Sequence, residues 1–111
     1  MSFENKEPQA SLLFAQLLGR ELKIQGLKYT PHYTLPAMDW RGRDLLDPET
    51  GVYRYDQLVV LRETKVPTVL FEAGSIINRD EELLMSSPER QTKIATAVTD
   101  AVRLFCAARA Q

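Results

Sequence analysis

Between Lys28 and Asp56, Pro31, Pro36, Gly42, Pro48 and Gly51 fall so close together that no apolar period survives across the stretch. A chain of 111 residues broken there can build regular structure only on either side of the interruption. Residues 28–56 therefore read as a long loop. Loops of that length are uncommon in a compact domain and often carry function, so this one is either a candidate for substrate contact or a surface excursion with no role.

Ahead of the break, Leu13, Phe14, Leu17, Leu18 and Leu22 recur at helical spacing, with Gln16, Arg20, Glu21 and Lys23 between them. The pattern predicts an amphipathic helix over 9–25, closed by Gly26 and with basic residues near its negative end. Beyond the break, the apolar runs at 58–61 and 68–72 are continuous rather than alternating, which predicts strands covered on both faces. Only the polar residues Arg62 to Lys65 separate them from Val66. That is too short for a helical crossover, so either the strands form a hairpin or the first run ends a helix. Asn78 and Asp80, followed by Glu81 and Glu82, predict a short helix over 80–86. Ser87-Pro88 then opens a helix over 88–108 with the stripe Ile94, Val98, Ala101, Val102 and Phe105. The expected fold class is α/β, a partial mixed sheet with flanking helices.

Composition narrows the function. Fourteen Lys and Arg against 15 Asp and Glu, without a long run of one sign, leave no electrostatic footprint for nucleic acid. Cys106 is the single cysteine and His32 the single histidine, so neither an internal disulfide nor a structural zinc finger is available. Beside Phe105, Cys106 reads as a small buried hydrophobe. No apolar run approaches the roughly 20 residues that span a bilayer, and the opening MSFENKEP is too polar for an export signal.

The chemistry concentrates between Val66 and Asn78. Glu72 ends an apolar run just before a small residue and Gly74. A carboxylate there pays a desolvation cost unless it is paired or bound, and strand ends are where open α/β sheets place their sites. A functional group, a structural salt bridge or an exposed rim position would each answer that cost.

Val66-Pro67, an apolar strand, Glu72-Ala73-Gly74, Ile76 and Asn78 occur in the order of the C-terminal signature of the zinc-dependent N-acetylmuramoyl-L-alanine amidases, bacterial cell-wall hydrolases, which this stretch resembles. Glu82-Leu83-Leu84, Ser87-Pro88-Glu89, Gln91 and Ile94-Ala95 are similar to the family's closing helices. Leu58 to Arg62 resembles its penultimate strand, and Ala10 to Leu22 the helix before it. Ser75 and Ile77 depart from the family's usual residues at their positions.

The resemblance implies a periplasmic or extracellular hydrolase that cuts the amide between N-acetylmuramic acid and L-alanine in peptidoglycan with a zinc-bound water. It places Glu72 at the catalytic carboxylate, with Gly74 and Asn78 supporting the turn behind it. The family's zinc ligands, two His and a Glu, belong to its N-terminal half and have no counterpart here. His32 with Asp39, Asp44 or Asp47 could bind a metal only weakly, because catalytic zinc needs three ligands at defined geometry, and a loop histidine with no metal is the simpler reading. The chain thus resembles the C-terminal half of the zinc-dependent amidase fold. Its expected partners are peptidoglycan and either the missing N-terminal half or a second copy, which would cover open sheet edges and apolar faces. Trp40, Arg41 and Arg43 would suit a glycan or a stem-peptide carboxylate, or merely anchor the loop; Tyr53 and Tyr55 admit the same two readings. The alternative function is a non-catalytic remnant or a peptidoglycan-binding or partner-binding module. A third reading is a small interaction protein in which Glu72 closes a salt bridge.

Overall fold

Pro8 opens α1 (Pro8–Ile24) at its first turn, where the missing N–H costs no helical bond. The computed structural model describes residues 1–29, 43–74 and 79–110. At the far end of α1, Gly26 takes φ +83°, its N–H donates to the Lys23 carbonyl (2.9 Å) and the Leu27 N–H to the Leu22 carbonyl (3.0 Å). These are the two bonds of a Schellman cap, and the left-handed residue between them favours glycine.

The supposed loop contains a hairpin. β1 (Arg43–Asp47) and β2 (Val52–Tyr55) pair antiparallel, with Arg43 opposite Tyr55, Asp44 opposite Arg54 and Leu45 opposite Tyr53. Pro48 and Gly51, taken above as breaks, belong to its turn. The Asp47 carboxylate accepts the Glu49 N–H (3.0 Å), the Asp47 carbonyl accepts the Gly51 N–H (2.8 Å), and Gly51 sits at φ +71°.

Two further expectations are corrected. The run at 58–61 is no strand: residues Val59–Glu63 form α2. Leu61 is 1% exposed, whereas Val59 and Val60 are 58% and 63% exposed. One side chain of the run is therefore buried, as a single helical turn against a neighbour requires, rather than two faces. The buried Asn5 amide reinforces that turn by donating to the carbonyls of Leu61 and Thr64, both at 2.9 Å. Residues 68–72 form no strand either; β1 and β2 pair with each other, and the Thr68 N–H goes to the Ser11 hydroxyl (3.0 Å) instead of a neighbouring strand. The expected mixed sheet is thus a two-stranded antiparallel one among the described residues.

α3 (Arg79–Met85) and α4 (Pro88–Arg109) complete the order. Ser87 caps α4 by accepting the Arg90 N–H (3.3 Å). α4 lies against α1 in the antiparallel sense: Phe105 meets Phe14 with ring centroids 5.1 Å apart, and Arg109 reaches Glu7 at 2.7 Å. Ala97 and Ala101, fully buried, let the two backbones approach. Cys106 is exposed, against expectation, because a residue next to Phe105 points about 100° away around the helix. Among the described residues, four helices and a two-stranded antiparallel sheet make the fold mixed α/β.

The opening residues tie these parts together. The Met1 nitrogen donates to the Tyr53 carbonyl (3.0 Å), and the Met1 carbonyl accepts from the Tyr55 N–H (2.8 Å). Met1, Ala15 and Val52 form a buried cluster, flanked by Phe3, Leu12, Leu46 and Val69. Asp56 accepts hydrogen bonds from the Ser2 hydroxyl (2.7 Å), the Phe3 N–H (3.0 Å) and Arg54 (2.7 Å). Partial burial pushes its carboxyl pKa up, but those donors outweigh burial and hold it below the ordinary value. A depressed carboxylate contributes stability that is complete above the unfolded value of about 3.9 and is lost as pH falls through the folded value. Asp56→Asn is therefore expected to cost about 2 kcal/mol near neutral pH and much less near pH 2. Urea unfolding of both proteins at the two pH values checks this; an equal cost at both would refute it.

Candidate functional site

A cleft of about 830 Å³ runs between α1, the hairpin, residues 69–74 and the start of α4. One wall exists because Gly19 lacks a side chain: a Cβ there would lie 2.2 Å from the Thr50 carbonyl oxygen, so α1 can press directly on the hairpin turn. Val69 joins the core cluster, which leads the chain from the buried interior to Glu72 at the cleft surface.

Glu72 is paired. Its Oε1 lies 3.1 Å from Nη1 of Arg43, with the side chains 39% and 17% exposed respectively. The Arg43 guanidinium sits over the Tyr55 ring, 4.6 Å from its centroid. Arg43 and Tyr55 are cross-strand partners, so hairpin register brings the cation onto the ring and aims it at the carboxylate. The main chain is held as well: Arg90, from the first turn of α4, donates to the carbonyl of Ala73 (3.1 Å). Gly74 packs against Met85, whose sulfur would lie 2.9 Å from an added Cβ.

The residues expected at the site fare differently. Glu72, Gly74 and Arg43 come together, with Arg43 meeting the carboxylate itself. Trp40, Arg41, Asn78 and His32 lie outside the described residues, as do Asp39, Ser75 and Ile77. Tyr53 and Tyr55 line the cleft. Arg90 and Met85 were not foreseen; both looked like ordinary residues of the closing helices, and nothing in their spacing links them to Glu72.

The described residues do not fit the zinc that the resemblance implies. No three His, Cys, Asp or Glu among them gather into a group that could hold a metal, and three ligands are the minimum for a catalytic site. Glu72 has an arginine as its cationic neighbour. Among the described residues, no helix is long and apolar enough to cross a membrane.

No curated protein and no solved structure matches the chain. A family profile, that of N-acetylmuramoyl-L-alanine amidase, matches residues 4–103. The match begins ahead of α1, ends within α4 and includes Glu72, Arg43 and Arg90, so the chain belongs to the N-acetylmuramoyl-L-alanine amidase family, hydrolases that act on peptidoglycan.

Proposed function

We propose that the chain hydrolyses the amide between N-acetylmuramic acid and L-alanine, with Glu72 moving the proton. The observation that carries this reading is a carboxylate set in the wall of a large cleft and braced there by Arg43. Water adds to the amide carbon while one of its protons passes to Glu72. The adduct then expels the L-alanine nitrogen, which takes that proton back from Glu72. One carboxylic acid and one amine result, and Glu72 ends as it began.

The described donors do not fit zinc, and the proton transfer assigned to Glu72 stands on that carboxylate alone. Zinc content of the folded chain, after equilibration with excess metal and gel filtration, shows whether residues outside the described ones hold an ion. A cell-wall location, periplasmic or extracellular, belongs to the same proposal. So does a partner segment or second copy covering the exposed side chains of Val59, Val60, Val66 and Leu70.

The direct test is incubation of the purified chain with purified sacculi. The expected result is soluble stem peptide with L-alanine at its amino end. Sacculi that retain the chain while releasing no peptide would favour the other reading, a binding module without hydrolysis.

A further inference from the structure

We propose that Arg43 is a positioning residue for Glu72, a role distinct from the substrate contact its sequence position suggests; this rests on the proton-transfer role proposed for Glu72.

Three observations converge on it. Arg43 reaches across 29 residues of sequence to place Nη1 at 3.1 Å from Glu72 Oε1. The guanidinium is itself immobilised, 4.6 Å from the centroid of the ring of Tyr55, the residue directly opposite it in the hairpin. The main chain next to Glu72 is fixed independently by the Arg90 bond to the Ala73 carbonyl. Backbone and carboxylate are thus held by two different arginines, from the hairpin and from α4.

Stability alone does not account for this arrangement. Glu72 keeps 39% of its side-chain surface in solvent, and ion pairs so exposed contribute little to folding. Arg43, at 17%, has given up most of its hydration to make the contact. What the pair does accomplish is restraint. A glutamate has three rotatable side-chain bonds, and a carboxylate that must meet a water and then a leaving nitrogen loses rate when its placement is loose. Arginine suits the task because its planar fork stacks on an aromatic face and hydrogen-bonds in its own plane at once, which a lysine ammonium cannot do.

The test uses the whole chain and a soluble N-acetylmuramoyl peptide, comparing wild type, Arg43→Ala, Arg43→Lys, Tyr55→Leu and Glu72→Gln for kcat, KM and thermal midpoint. Positioning predicts that Arg43→Ala lowers kcat by about tenfold or more, leaves KM within about twofold and moves the midpoint by only a few degrees. Arg43→Lys should recover part of the loss, and Tyr55→Leu should lower kcat by a smaller factor. An effect confined to KM would make Arg43 a substrate contact and overturn the proposal, as would a wild-type kcat in Arg43→Ala. Without reference to turnover, the side-chain ¹⁵N resonances of Arg43 should move on Glu72→Gln; unmoved resonances would show that the pair is not formed in solution. If wild type hydrolyses the peptide and Glu72→Gln does so equally well, the role of Glu72 fails. If wild type and Glu72→Gln differ but Arg43→Ala equals wild type, only the role of Arg43 fails.

Discussion

Glu72→Gln is expected to lower the release of stem peptide by at least about a hundredfold, with the fold intact, since a positioned acid–base group contributes some 10²–10⁴ in rate. The substitution is chosen for what it preserves. A glutamine amide oxygen can still accept from Arg43 Nη1, and its shape matches the carboxylate, so the cleft wall changes little. What it removes is the capacity to take and return a proton. Loss of the ion pair itself should cost no more than about 1 kcal/mol, because Glu72 is partly exposed. Hydrolysis rates on sacculi and thermal midpoints, measured on the same preparations, separate the two effects. A variant that keeps its midpoint and also keeps activity within a few fold of wild type would remove Glu72 from the chemistry.

The second large effect concerns folding. Gly51 and Gly26 both adopt positive φ, +71° and +83°, but their surroundings differ. A Cβ at Gly26 meets nothing within 4 Å, whereas one at Gly51 would lie 2.3 Å from Cγ of Tyr29 and 2.6 Å from its Cβ. Gly26→Ala should therefore cost only the left-handed backbone penalty, about 1 kcal/mol. Gly51→Ala adds displacement of a tyrosine ring to the same penalty and should cost about 3 kcal/mol in all, enough to lower Tm by roughly 15 °C in a domain of this size. Since Gly51 closes the turn that sets the register of Arg43 and Tyr55, the defect should reach the site as well. Thermal unfolding of Gly51→Ala, Gly26→Ala and Gly51→Ala in a Tyr29→Gly background, which removes the Tyr29 Cβ as well as the ring, checks the argument. The double variant should regain the packing part of the loss; equal losses for the two single glycine variants would refute it.

Helix ends were the most legible part of the fold. Gly26 and Ser87-Pro88 act through bonds within a few residues of themselves, and both stand where a local rule puts them. The hairpin was not legible, because Pro48 and Gly51 carry the same signal whether they end regular structure or turn it back on itself. The run Leu58 to Leu61 misled for a related reason. Four consecutive apolar residues have no period, so helix and strand are indistinguishable until something packs on one side of them.

By itself, the sequence determined that two long amphipathic segments become helices, where they stop, that a carboxylate follows an apolar run at Glu72, and to which family of hydrolases the chain is similar. Each of these is written in neighbouring residues, within the reach of a helical turn or a short motif. Tertiary structure alone decided that residues 59–63 turn into a helix, that Asn5 caps it, that α1 meets the hairpin at Gly19, and that the partly exposed Glu72 pairs with Arg43. Those outcomes depend on groups tens of residues apart meeting at hydrogen-bond or van der Waals distance. Strand register and helix packing set such meetings, and a change of one residue in register would carry Arg43 to the opposite face of the hairpin.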